Sequence, residues 1–497
     1  MRPYRFQEQF DQIQEEMEEI PLAAGPGRAP RYLYEKGHIL ARDADADMVV
    51  EVVRRAFEPD SERAEQVRRV PSEEHVTGVS RIRVGDPRSD GRRSDRNVTD
   101  ALRAVGEVER RERRRIATRN HVVSIAVNCC PGDEPVPVPA PSPPNPAPSN
   151  PSDDESLTLA WKAPRSRDDT SRERPVRVLV IDTGLVEGYE SYGWMKGVRP
   201  APNPDGVEKR PLDREGVLRQ YVGHGTFIAG LIGAVAPHAE VTVLNALSRA
   251  GAVTEHEFGI RLMHAMGEME GGWPDIISLS AGTPTTKARA LLSLERFMDR
   301  LGAARTLLVA AAGNNGDTGK FWPAAYAGTK EYGDAVVSVG ALRTDGAAGA
   351  CFTNHGPWVD VYAPGERLVS AFTAPDGSPE VYDYQHSTFS RCRYGSAYEC
   401  TCRFPKHVGE RSAHRRFTSA SPDRVRFDGL AMWSGTSFAT PLVVAMIANR
   451  MRELRVTEPR VAARDLLGKA SSAAVRGRTV RALIPGTWTP TPVRTVP

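Results

Sequence analysis

A chain of 497 residues is longer than one hydrophobic core usually serves, so at least two folded units are expected, one large and one small. Its apolar fraction of 40% and charged fraction of 26% are those of an ordinary soluble protein. The formal net charge of +3 is too small to argue for bulk attraction to nucleic acid or to a membrane surface, so partners must be sought in local sites.

The opening stretch M-R-P-Y-R-F-Q-E-Q-F-D-Q-I-Q-E-E-M-E-E-I holds no uninterrupted apolar core of the kind a secretory signal needs. The nearest candidate for a membrane span, Thr226 to Ala236, is too short, and its small residues suit a buried helix. A cytoplasmic location is expected. Six cysteines in so long a chain then stay as thiols and do not make a disulfide scaffold.

Phe6, Phe10, Ile13, Met17 and Ile20 recur at steps of four and three on an otherwise Gln- and Glu-rich segment. That spacing predicts an amphipathic helix, too short for a self-sufficient coiled coil, that docks on another part of this chain. Residues 31–130 read as a small α+β domain in the order β-α-β-α-β. A strand near Arg31 to Arg42 precedes a Val-faced helix at Ala46 to Phe57. A strand at His75 to Val84, a helix from about Val98 to Arg114 and a strand at His121 to Val127 follow. Within it the run E-R-R-E-R-R-R-I-A-T-R, Glu109 to Arg119, interleaves acid with base and has no aromatic neighbour. It reads as a solvated helix face and not as a nucleic-acid site.

From Pro131 to Pro151 proline dominates, and an extended spacer is expected there as the main domain boundary, with a linker over 131–175. Beyond it lie four segments that carry chemistry. V-R-V-L-V-I-D-T-G, ending on Asp182, is a buried strand that closes with an acid and a glycine turn. Y-V-G-H-G-T-F-I-A-G sets His224 at the opening of a small-residue helix. L-L-V-A-A-A-G-N-N-G runs a buried strand into a polar turn at Asn314, and W-S-G-T-S-F-A-T-P places Ser437 at the mouth of an apolar helix. Each alone reads equally as a turn or a cap.

Together, in this order, the four segments resemble the Asp, His, oxyanion-Asn and Ser motifs of the subtilisin family over roughly Val176 to Leu454. The resemblance implies an α/β fold, three layers with a mostly parallel central sheet, plus the small N-terminal α+β domain. It implies a serine endopeptidase with Asp182, His224 and Ser437 as triad and Asn314 as oxyanion-hole donor, acting on protein or peptide substrates. Gly435 is expected to let the chain turn sharply before the nucleophile, and Pro441 to free the carbonyl of Ser437. D-I-I-S-L-S-A-G-T-P resembles the family's substrate-binding strand, which puts Ser280, Ala281 and Gly282 along the substrate. The competing reading is a catalytically silent module that holds a peptide in the same cleft.

Departures from the family pattern are expected to matter. The path from Gly230 into V-T-V-L lacks the usual calcium loop, so no metal or other cofactor is expected there. An insertion at about Thr373 to Arg426 carries Cys392, Cys400 and Cys402 with His386, His407 and His414, read as free thiols or one disulfide before zinc. Cys351 reads as a core residue, and Cys129 with Cys130 as inert thiols. The peptidase domain is expected over 176–470 and a tail over 471–497. By element order the N-terminal domain resembles the family's small prodomains. It is either such a domain, in intramolecular contact with the peptidase and removed by a cut between Cys130 and Val176, or an unrelated adaptor.

Overall fold

The structure, a computed structural model, describes residues 4–26, 30–71, 75–88, 91–125, 134–138, 174–202, 207–208, 212, 216–247, 250–383, 424–486 and 488. The chain forms two compact units. One comprises Met1–Ser124, Ala252–Gly272 and Thr283–Arg300; the other comprises Ile125–Gly251, Trp273–Gly282 and Leu301–Pro497. The division therefore differs from one at the proline-rich stretch, because two later segments fold with the N-terminal residues.

In the first unit Leu33–Arg42 runs antiparallel between Val79–Arg83 and Ala117–Ile125. Ala252–Thr254 extends this sheet against Val122 to Ser124. Helices Ala46–Phe57 and Gly91–Glu112 follow the expected order. They bury Val49, Val53 and Phe57, and Val98, Ala101 and Val105, in one cluster with Ile39, Ile82 and Ala117. The second helix starts at Gly91, ahead of the expected Val98; its first turns are polar and carry no apolar repeat that would mark the start in the sequence.

The N-terminal helix Tyr4–Glu16 belongs to this unit; of its apolar stripe Ile13 is buried and Phe10, Met17 and Ile20 are half-buried. Ile13 is fully buried, and the Gln14 side chain accepts the Leu22 N–H at 2.7 Å. The basic run also works inside the unit: Arg114 forks onto Asp45 at 2.5 and 2.6 Å, and Arg119 lies over the Tyr34 ring at 5.0 Å.

At the heart of the same unit is a fully buried pair. His121 donates from Nδ1 to Glu255 Oε2 at 2.8 Å, while Thr286 N–H reaches Nε2 at 3.4 Å. Glu255 opens the helix Glu255–Glu268, and its Oε1 accepts the Leu292 and Ser293 N–H groups at 2.6 and 3.2 Å. Both nitrogens of a neutral imidazole are thus matched, and a proton on Nε2 would face a donor. Burial, with Arg115 and Arg119 adding repulsion and Glu255 opposing, lowers the His121 pKa. The folded unit then binds fewer protons than the unfolded chain, so this part of its stability is complete above about pH 6.5 and is lost as pH falls below it. His121→Gln, measured by urea unfolding of the full chain in a Ser437→Ala background, is expected to flatten the fall in stability between about pH 6.5 and 5. An unchanged slope contradicts this account of the pair.

The second unit is built on a mostly parallel sheet, as the α/β expectation requires. Arg177–Asp182 lies between Glu240–Asn245 and Ile276–Leu279, and Leu307–Ala311, Val336–Leu342 and Val361–Pro364 continue the sheet, every one of these neighbours parallel. These strands are buried and rich in Val, Leu and Ile, as a sheet covered on both faces demands. Helix His224–Val235 and the N-terminal two thirds of Thr436–Leu454 are buried, and the two helices pack on each other. Their small residues allow that approach.

Two stretches differ from expectation. Within 471–497, Ser471–Val475 and Arg478–Ala482 form a hairpin whose second strand joins Val361–Pro364, so this part is sheet and not tail. In the proline-rich stretch, Val136–Pro137 pairs antiparallel with Ala431 and Met432. Proline is tolerated there because the strand lies at the sheet's edge.

The insertion closes on a two-stranded base, Glu380–Asp383 against Arg424–Phe427. Cys392, Cys400, Cys402, His386, His407, His414, Cys129 and Cys130 lie outside the described residues, as does most of 131–175. Cys351 is buried. Among the described residues no helix is long and apolar enough to cross a membrane, and no group of three or more His, Cys, Asp or Glu is placed to hold a metal ion.

Candidate active site

Every residue singled out from the four motifs lies in the second unit, at the end of a strand or the start of a helix. Asp182 ends the central strand Arg177–Asp182 and is fully buried. Its Oδ1 accepts the Thr183 N–H at 2.8 Å and the His224 Nδ1–H at 2.8 Å. A charge so deep is tolerable only with such donors. The bond also fixes the imidazole tautomer, leaving Nε2 as the open acceptor.

His224 is the first residue of its helix, and the glycines beside it have specific reasons. Gly223 has φ +77°, and a Cβ there would lie 2.7 Å from the Phe372 ring. A Cβ on Gly225 would stand 2.3 Å from the Gly184 carbonyl oxygen, so only glycine lets the helix start approach the Asp182 turn. Three rings enclose the imidazole: Phe438 at 5.1 Å, Trp433 at 5.3 Å and Tyr221 at 6.2 Å. None of the three was singled out from sequence, since ring packing across distant segments leaves no local pattern.

Ser437 sits in the first turn of Thr436–Leu454, at the positive end of the helix dipole. Pro441 donates no hydrogen bond, and the Ser437 carbonyl it leaves free accepts the Ser280 hydroxyl at 2.9 Å. In return the Ser437 hydroxyl donates to the Ser280 carbonyl at 3.3 Å. The structure thus ties Ser280 to the serine segment, while the hydroxyl is turned to that carbonyl and not to the imidazole.

Asn314 follows Gly313, which has φ +95°, beyond the strand Leu307–Ala311. Its Oδ1 accepts both the Thr436 N–H at 2.9 Å and the Thr436 hydroxyl at 2.8 Å. These two bonds set the amide orientation and direct Nδ2 towards Gly435, where an added Cβ would lie 3.5 Å from it. Gly435 itself is extended at φ 168°, so the expected sharp turn is not the reason for glycine. A Cβ there would also meet only ordinary contacts, 3.5 Å from Asn314 Nδ2 and from the Phe438 ring, so crowding does not require glycine either. Thr436 is a further residue of this arrangement, legible only as the T of G-T-S.

Ala281 and Gly282 form a short strand beyond Ile276–Leu279, and both are buried. A Cβ on Gly282 would lie 2.4 Å from the Trp322 carbonyl oxygen, so that side of the strand is filled by protein.

The arrangement is an acid, an imidazole, a hydroxyl and an amide donor brought together from four strand and helix ends. A family model described as "Subtilase family" matches residues 174–481, more than half of the chain, and the chain belongs to that family. It is similar to an intracellular serine protease of Paenibacillus polymyxa, 30% identical over 243 residues, which cover 44% of this chain and 63% of that protein. A thermophilic serine proteinase of Bacillus sp. (strain AK1) is 32% identical over 160 residues, 30% of this chain and 36% of that one. The chain thus spans less than two thirds of the length of these relatives. Among solved structures, that of a cold-adapted subtilisin-like serine proteinase aligns over 65% of this chain and 96% of that one, at 19% identity and a TM-score of 0.41.

Proposed function

We propose that this chain is a serine endopeptidase that hydrolyses peptide bonds through an acyl-enzyme intermediate. The observation that carries the reading is the 2.8 Å bond from His224 to a fully buried Asp182. A serine hydroxyl is a poor nucleophile at neutral pH, so the Ser437 hydroxyl turns from the Ser280 carbonyl to His224 Nε2. Nε2 takes its proton as Oγ bonds to the substrate carbonyl carbon. Asp182 stabilises the imidazolium so formed. The carbonyl oxygen becomes negative and is received by Asn314 Nδ2 and the Ser437 N–H. His224 then gives its proton to the leaving amine, and water enters by the same route to release the acid. Ser280, Ala281 and Gly282 border the substrate chain.

The names of the relatives support action on protein or peptide substrates, and an intracellular site of action. We read residues 1–124 as a restraint on the peptidase; their folding as one unit with 252–272 and 283–300 supports an intramolecular role over that of a separate adaptor. One observation favours the silent peptide-holding alternative: the Ser437 hydroxyl is bonded to Ser280. Incubating the full chain with denatured casein at neutral pH and counting new amino termini separates the two. Accumulating peptides are expected. No release by the full chain, nor after limited proteolysis removes residues before Val176, defeats the enzyme reading.

A further inference from the structure

The insertion ahead of Ser437 is clamped at its base and joined there to the segment that carries the imidazole. Its outgoing stem is Phe372 and Thr373, and its returning stem runs from Phe427 to Gly429. The Phe372 and Thr373 N–H groups both donate to the Gly429 carbonyl, at 3.1 and 2.9 Å, and the Gly429 N–H donates to the Thr373 hydroxyl at 2.9 Å. Beyond this clamp, Glu380–Asp383 pairs antiparallel with Arg424–Phe427 and, through Val381 and Tyr382, parallel with Val217 and Leu218. Val217–Leu218 is the strand that leads into His224.

The path from that strand to His224 is locally costly. Tyr221 has φ +67° and Gly223 φ +77°, and a left-handed backbone at a bulky residue persists only where its surroundings hold it. Part of that hold comes from the insertion's stem: a Cβ on Gly223 would lie 2.7 Å from the Phe372 ring and 2.8 Å from the Phe372 carbonyl oxygen. A line of rings continues from there. Phe427, fully buried, meets Phe372 edge-on at 4.6 Å and Tyr382 at 6.0 Å; Phe372 meets Trp433 edge-on at 5.7 Å, and Trp433 meets His224 edge-on at 5.3 Å. Edge-to-face contacts set the angle between rings as well as their spacing.

We infer that Phe427 is a positioning residue for His224: it wedges Phe372 against Gly223 and Trp433, keeps the imidazole aimed at Ser437, and makes the insertion's base part of the catalytic framework. The inference rests on the peptidase reading and adds to it a second support for the imidazole, besides the 2.8 Å bond to Asp182. That bond fixes Nδ1 but leaves the ring able to swing about it. The rings packed against it fix where Nε2 points. A close-packed interior has no slack to absorb a displacement and passes it on. Misplacement by about 1 Å costs on the order of 100-fold in rate.

The test follows labelling of the full chain by a fluorophosphonate, whose capture by the Ser437 hydroxyl needs His224 as peptide hydrolysis does. Intact mass against time and probe concentration gives the final fraction labelled, the maximal rate constant and the probe concentration at half that rate. Phe427→Ala is expected to lower the maximal rate constant about tenfold or more, with the half-saturating concentration within about threefold of wild type and the final fraction unchanged. Phe427→Leu, which refills the space with an apolar side chain, is expected to recover most of the rate. A residue that only stabilised the fold would lower the fraction labelled and leave the rate constant alone. Should urea unfolding show that Phe427→Ala does not fold, Phe372→Leu decides: it lies one ring nearer to His224, and a slower rate constant at full labelling is expected. An unchanged rate constant in the folded variants, or a loss confined to the labelled fraction or to half-saturation, overturns the inference. A wild type that takes no label sinks the peptidase reading, and this inference with it.

Discussion

Ser437→Ala is expected to lower turnover of any peptide substrate by about 10⁶-fold, and His224→Ala to cost about the same. On the mechanism proposed above, the two act as one device. Without Oγ there is no atom to acylate; without Nε2 the hydroxyl keeps its proton and stays a poor nucleophile. The double variant is therefore expected to lose no more than either alone. Stability should separate them. Ser437→Ala removes one long hydrogen bond to Ser280, whereas His224→Ala also removes the ring that Phe438, Trp433 and Tyr221 enclose and leaves the Asp182 carboxylate without its imidazole donor. A loss of 1–3 kcal/mol, of the order expected for unpairing a buried polar group, is predicted for His224→Ala alone. Steady-state kinetics with urea unfolding of the same variants checks both statements, and additive kinetic losses would contradict the shared role.

The second large effect is at Asn314. Asn314→Ala and Asn314→Asp are each expected to lower kcat by about 10²–10³-fold with little change in KM, because the lost donor acts on charge that exists only in the transition state. The pair also separates chemistry from folding. Aspartate keeps an oxygen for the Thr436 N–H and hydroxyl, which now bind Asn314 Oδ1 at 2.9 and 2.8 Å, whereas alanine leaves both without it. Only Asn314→Ala should therefore also unfold at lower urea. Unchanged kcat in Asn314→Asp would remove this amide from the mechanism.

How much of this was legible beforehand follows from where the information lies in the chain. Asp182, His224, Asn314 and Ser437 announce themselves because each stands at the seam between a buried apolar run and a glycine turn, a pattern written within ten residues. The helix Ala46–Phe57 is legible for a similar reason: its valines repeat on one face. Long-range facts leave no such trace. That 252–272 and 283–300 fold with the first 124 residues depends on pairings such as His121 with Glu255, over a hundred positions apart.

Other differences have local physical reasons. The hairpin of Ser471–Val475 and Arg478–Ala482 is short and Ala- and Arg-rich, and its first strand is buried only at Ala473 and Val475, so it reads as a tail. Val136–Pro137 joins a sheet because an edge strand need not donate from proline. At Gly435 the expected sharp turn is absent, because the backbone is extended and a Cβ would meet only ordinary contacts. Ile125 is the sharpest example. In the sequence it is one more apolar residue in a strand, and only its N–H bond to the Gly251 carbonyl distinguishes it.

The central claim is that the Ser437 hydroxyl, although bonded to the Ser280 carbonyl, is activated by His224. Treating the full chain with a fluorophosphonate at neutral pH and locating the adduct by intact and peptide mass tests it most directly. The account predicts one stoichiometric adduct, on Ser437, absent from Ser437→Ala and nearly absent from His224→Ala. An unlabelled chain, before and after limited proteolysis ahead of Val176, or an adduct that persists in Ser437→Ala, would contradict it.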